Sequence, residues 1–211
     1  MVSVDSFMSR VLPFVVGCSE PMARQAILDS AIDFCQCTNV IRQTLDTFSA
    51  IKGINNYDLE TPNNQQKVAR ILSVTVDGRE IAGIFEEDVP MLNHDATGVP
   101  SGFYTTRIDS EFVLNLHPTP DAKYKIIVTA ALAPTINATS VQDDLLNEWT
   151  QTVVDGAIAR IAAIPNMPFT NPDIVMMYKQ SAMRGMSKAK TESYYGRVRG
   201  GTRIKPRPLV R

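Results

Sequence analysis

With 211 residues, 44% hydrophobic and 20% charged, the chain has the size and composition of a globular protein able to bury a sizeable core. No apolar run approaches the roughly 18 residues that a membrane helix needs, and the opening MVSVDSFMSRVLPFVVG carries an acid and an arginine where a secretory leader has an unbroken apolar block, so a soluble, non-secreted protein is expected. The net charge of −1 conceals an asymmetry: from Lys188 onward there are eight Lys or Arg against one acid, Glu192, whereas the preceding residues hold thirteen against twenty-one, so a mildly acidic body carries a basic tail.

In SVDSFMSRVLPFVV, Val4, Phe7, Met8, Val11 and Phe14 recur at helical spacing, and Pro13 limits the length of the helix they predict. SEPMARQAILDSAIDFCQCTN predicts a longer amphipathic helix. Ser19 stands at its N-cap, Glu20 and Pro21 in its first turn, and Ile27/Leu28, Ala31/Ile32 and Phe34/Cys35 follow on one face.

From Asn39 the period falls to two. VIRQTLDTFSAI and Tyr57 to Leu59 read as extended, and Leu72, Val74 and Val76 lead into Asp77-Gly78, a dipeptide suited to a two-residue hairpin, with a return strand through Ile81. Phe103 to Ile108 pairs in the same way with Phe112, Leu114 and Leu116 across Asp109-Ser110, and Tyr124, Ile126, Val128 and Ala130 form a last strand before Pro134. EEDVPMLNHDATGVPSG, between the two hairpins, reads as an exposed loop with at most one helical turn.

After Pro134 the helical period returns. Ser140 and Asp143 have capping-box spacing, and Leu145, Trp149, Val153, Gly156, Ala157, Ile161 and Ile164 share one face of a single predicted helix that Pro165 ends. Asn171, Pro172 and Asp173 then open a final helix to about Tyr195, with Ile174, Met177, Tyr178, Ser181 and Gly185 facing its partner. The short PNMPFT connector makes these two an antiparallel hairpin, and Gly156 and Gly185 mark points of close helix approach.

The expected fold is therefore α+β. A four-helix bundle is formed by N-terminal helices in 1–38 and a C-terminal hairpin in 136–196, with an antiparallel β module (39–135) inserted between the second and third helices and an extended arm at 197–211.

Chemistry is sparse. His94 and His117 read as surface residues, Glu86, Glu87 and Asp88 as a solvated loop, and Asp143 and Asp144 as acids at a helix start. Cys18, Cys35 and Cys37 have no recognised zinc spacing and read as buried free thiols. With no phosphate-binding, nucleophile-elbow or metalloprotease motif, the expectation is a protein that is not an enzyme, with no catalytic residues, metal or cofactor. Met176, Met177, Met183 and Met186 crowd the last helix. Met176 and Met183, seven apart, suit either core packing or contact with a neighbouring subunit.

The tail RVRGGTRIKPRPLVR admits three readings. Arg197, Arg199, Arg203, Lys205, Arg207 and Arg211 could clamp phosphates, which makes a nucleic-acid-binding protein the alternative function. Aromatic interleaving is missing, however, and the acidic body would repel nucleic acid. Alternatively, Gly200 and Gly201 form a hinge, and the alternation of basic residues with Ile204, Leu209, Val210 and prolines suits an extended strap laid in a groove or on a sheet edge. The bland alternative is a basic terminus without a structural role.

Several strings resemble the head-to-tail adaptor (connector) proteins of tailed bacteriophages, especially the short-tailed type. They are AILDSAIDFCQCTNVIRQTLD, GINNYDLETP, VARILSVTVDGREI, LNLHPTPDAKYKIIVTAALAPTINATSVQDDLLNEW and VVDGAIARIAAIPNMPFTNPDIVMMYKQSAMRGMSKAK. Asp33-Phe34 stands where similar proteins have an acidic-aromatic pair. Asp155, Gly156, Ala157 and Arg160 match a helix motif, with Ile161 in place of the more usual leucine, and Pro165, Pro168, Asn171 and Pro172 match a proline-rich hairpin. Phe169 departs from a common tryptophan. The resemblance implies a structural virion protein at the capsid vertex, assembled in the host cytoplasm. It implies a ring, commonly of twelve subunits, between the portal protein and the tail nozzle or tail fibres, with genomic DNA passing through the bore. It also implies that Arg197, Arg199, Arg203, Ile204, Lys205, Arg207, Leu209, Val210 and Arg211 form an arm that docks on the portal.

Overall fold

In the computed structural model, which describes residues 1–108 and 111–196, the first helical segment is short. After β1 (Val2–Ser3), Ser3 Oγ accepts a bond from Asp5 N and starts a 3-10 turn at Val4–Phe7. A single α-helical turn, α1 (Met8–Val11), follows, and a second 3-10 turn at Leu12–Phe14 contains Pro13. α2 (Glu20–Thr38) starts at Ser19, which occupies the N-cap position without a side-chain cap bond, and ends on Asn39 in the left-handed region at φ 52°.

The strands come next: β2 (Arg42–Thr44), β3 (Phe48–Ala50), β4 (Asn56–Asp58), β5 (Gln66–Val76) and β6 (Arg79–Gly83). Asp77 and Gly78 both have positive φ, 48° and 81°, as a tight two-residue hairpin requires. The following loop contains one 3-10 turn at Val89–Met91 and β7 (Thr97–Gly98). It leads to β8 (Gly102–Ile108), β9 (Glu111–His117), β10 (Thr119–Pro120) and β11 (Tyr124–Pro134). The expected connection at Asp109-Ser110 lies outside the described residues, but β8 and β9 pair antiparallel with Phe103 opposite Leu116. Last come β12 (Ser140–Val141), α3 (Asp143–Asn147), α4 (Thr150–Ala162) and α5 (Pro172–Tyr195).

The expected four-helix bundle with an inserted antiparallel module is not what forms. The dominant element is a curled, eight-stranded mixed sheet resembling a half-barrel, in the order β2-β11-β5-β6-β8-β9-β4 with β3 also on β11. Three local effects produce the difference. α1 is one turn, too short to act as a bundle helix. The single helix expected after Pro134 is split: Ser140 pairs with Ser3 in a strand instead of capping a helix, and Trp149 leaves helical geometry at φ −118°, ψ 14°, separating α3 from α4. The long loop after β6 returns the chain in the same direction, so β6 and β8 run parallel, with Ala82 opposite Gly102.

The curl has its own cause. Where β5 meets β11, the pairs Thr129/Ser73 and Ala130/Ile71 leave Leu72 as an extra residue, and Ala131/Arg70 and Leu132/Val68 leave Ala69 as another. Such bulges bend a strand and raise its twist. One continuous apolar core runs through Phe7, Ile27 and Phe34 on the helical side, Val74, Leu114 and Ile126 in the sheet, and Leu145 and Ile161 beyond it. No helix among the described residues is long and apolar enough to cross a membrane.

Candidate interaction surface

α5 starts firmly because Asn171 Oδ1 accepts bonds from Asp173 N at 3.1 Å and Ile174 N at 3.3 Å, with Pro172 at the first helical position. It lies against α4 at very short range. A Cβ on Gly185 would overlap Thr152 Oγ1, and one on Gly156 would overlap Ser30 Oγ of α2, so both glycines occupy points of close approach between helices. Ser30 Oγ also donates to Val153 O at 2.8 Å, which ties α2 to α4.

Five of the residues singled out above, Asp33, Phe34, Asp155, Gly156 and Arg160, lie on or next to this seam. Asp155, fully buried, accepts from Gln151 Nε2 at 2.6 Å and from Ser181 Oγ of α5 at 2.5 Å. Burial pushes the nearby Tyr178 hydroxyl pKa up, with the charge of Asp155 adding to the shift. Arg160 forms an ion pair with Asp33 of α2, and Phe34 packs on Trp149 with ring centroids 5.5 Å apart. Sequence reasoning singled out Asp33 and Arg160 separately and missed their pairing, since only the α2–α4 contact brings them together.

Beside the seam lies a mainly apolar groove, with Asp33, Arg160 and Lys179 also in its lining. It has a volume of about 330 Å³ and runs between α2, α4 and α5, lined further by Ala159, Ala163, Val175, Ala182, Met183 and Met186 among others. Met176 and Met183 are 65% and 59% exposed, so neither is core. Met177, expected to face the partner helix, is 56% exposed; the buried positions of α5 are Ala182 and Ala189, and Met177, five residues before Ala182, falls toward the far side of the helix. A second apolar area includes exposed Phe14 and Val16, with the Phe14 ring edge-on to Tyr178 at 5.8 Å.

The remaining candidates are dispersed. His94 is exposed, and the backbone oxygen of His117 accepts from Ser101 N at 3.0 Å. Glu86, Glu87 and Asp88 lie exposed on the loop after β6, and Asp143 pairs with the N-terminal amine at 3.0 Å. The three cysteines differ: Cys35 is buried and its thiol pushed up to about 12 by burial, Cys18 is half-buried and also raised, and Cys37 is exposed, contrary to the expectation of three buried thiols. Among the described residues no group of three or more His, Cys, Asp or Glu could hold a metal ion. The arm, Arg197, Arg199, Gly200, Gly201, Arg203, Ile204, Lys205, Arg207, Leu209, Val210 and Arg211, lies outside the described residues.

Compared with known proteins, the chain matches no family model, and a search of curated proteins finds no match.

Proposed function

We propose that this chain is a structural, non-catalytic head-to-tail adaptor of a tailed bacteriophage. It assembles as a ring, of twelve subunits in the form the resemblance implies, with the portal protein on one side, the tail nozzle or tail fibres on the other, and DNA passing through the bore. The observation that supports this reading best is the exposed methionine surface of Met176 and Met183 beside an apolar groove on a helical hairpin that is itself tightly packed. Contiguous exposed apolar surface marks interaction sites. The second apolar area around Phe14 and Val16 differs in composition and position, and two unlike patches on one subunit are what a head-to-tail contact needs to close into a ring. The basic arm, carried by an acidic body, docks on portal carboxylates through its arginines. An acidic body around the bore lets DNA slide without sticking.

Native mass measurement of the full chain, alone and mixed with the portal protein of the same genome, tests this reading. A twelve-subunit ring on the portal, lost when residues 200–211 are deleted, is the expected result. Attachment of the truncated protein at full level would refute the role of the arm, and absence of any complex would refute the adaptor.

A further inference from the structure

The apolar groove beside the seam is flanked by cations. On α5, Val175, Lys179, Met183, Met186 and Lys190 follow one another at three- and four-residue intervals, so the two lysines bracket the two methionines along one stripe. Both lysines are exposed, and among the described residues neither forms an ion pair. Asp33, the acid in the lining, is already paired with Arg160. The groove therefore offers an apolar floor with uncompensated positive charge beside it.

The element of opposite character is the loop between β6 and β8. From Ile84 to Ser101 it holds four acids, Glu86, Glu87, Asp88 and Asp95, and no Lys or Arg. Phe85 is 77% exposed and stands directly before three of them. Its backbone is held in place: Ile84 N donates to Phe103 O at 2.7 Å, and Asp88 N donates to Phe85 O at 3.0 Å, closing a turn. A ring carried on a fixed turn loses little conformational freedom on binding. Among the described residues Glu86, Glu87 and Asp88 have no ion-pair partner.

Two other occupants of the groove fit less well. Residues 197–211 contain neither an acid nor an aromatic ring, so their charge opposes that of the lysines. The Phe14–Val16 area has no acid between Ser6 and Cys18, which leaves it for a different part of the interface between copies.

We propose that the Phe85–Asp88 turn of one copy docks into the α2–α4–α5 groove of the next, with the Phe85 ring on Met183 and Met186 and the carboxylates beside Lys179 and Lys190. At about 330 Å³ the groove takes one aromatic side chain as a central anchor. The contact is head to tail, so each copy keeps one loop and one groove free until a ring closes. The inference rests on the ring assembly proposed above and names the two parts that meet, without use of the portal.

Sedimentation equilibrium of the full chain alone, up to about 1 mM, tests it, with circular dichroism melts to establish that each variant is folded. Self-association should weaken at least about tenfold in Phe85→Ser. Glu87→Lys and Lys179→Glu should each weaken it about threefold, and the two together in one chain should restore it. A mixture of Phe85→Ser and Met183→Ser chains should form dimers and nothing larger, because one intact loop and one intact groove remain. A chain that stays monomeric throughout would overturn the proposal, as would wild-type association of Phe85→Ser or failure of the paired charge reversal to restore it. Loop-dependent association of the chain alone, with no complex on the portal, would refute the adaptor while supporting this contact. A portal-bound ring that Phe85→Ser leaves intact would overturn the contact and not the adaptor.

Discussion

Gly185 and Thr152 show how little room the helical seam leaves. A Cβ at Gly185 would lie 2.8 Å and 2.9 Å from Thr152 Cγ2 and Cβ, besides overlapping the hydroxyl. Thr152 is buried and β-branched, so it has little rotamer freedom with which to give way. Alanine would gain about 1 kcal/mol of helix propensity and lose about 1–3 kcal/mol to overpacking. Gly185→Ala should therefore lower stability by about 1 kcal/mol in denaturant titration, and Thr152→Ala in the same chain should recover part of the loss. The cysteines give a second residue-scale prediction. Iodoacetamide should label Cys37 in the folded protein and reach Cys35 only on unfolding, as peptide mapping of the labelled chain would show. The Cys35 thiol, held near 12 when folded, ionises near its ordinary value of about 8.5 when unfolded, so the folded state binds the extra proton between those values. Its contribution to stability is complete below about pH 8.5 and declines as pH rises toward 12, which melts across that range would follow, with Cys35→Ala showing a shallower decline.

Among elements, α5 was the most legible, because its start depends on neighbours in sequence: Asn171 caps the helix, Pro172 fits its first position, and Asp173 suits the dipole. Asn171→Ala should cost about 1 kcal/mol, lowering the melting temperature without changing the fold. The α3–α4 break was not legible. Leu145 and Trp149 sit at an unbroken helical spacing, yet the backbone turns at Trp149, which packs on Phe34, while Thr150 Oγ1 bonds Leu146 O across the break. Ser140 likewise carried a sound capping pattern, but pairing with Ser3 of β1 took it into a strand. In β5 the period-two pattern placed Leu72 in line with Val74 and Val76, and the bulge took it out of the ladder. The candidate surface was half legible: seven-residue spacing put Met176 and Met183 on one side of a helix, but only the packing of α4 on the glycine side determined that this side faces outward.

At the scale of the whole molecule, the acidic body, the basic arm and the exposed methionines concern assembly more than folding. Met176→Ser with Met183→Ser should leave the melting temperature of the isolated chain within a few degrees, because surface substitutions away from caps and cores stay within about 0.5 kcal/mol. On the adaptor reading, the same pair should abolish ring assembly on the portal in native mass measurement; a ring formed at wild-type level would remove this surface from the interface. Features that depend on close neighbours along the chain are written in its residues: the α5 cap, the Asp77-Gly78 turn, the alternation of β8 and β9, and the small residues that bring helices together. Tertiary structure alone decided that the sheet, not a helical bundle, organises the molecule. Strand order, the parallel β6–β8 pair and the Arg42–Ser193 hydrogen bond join residues far apart in the chain, and local periodicity carries no information about which distant edges meet.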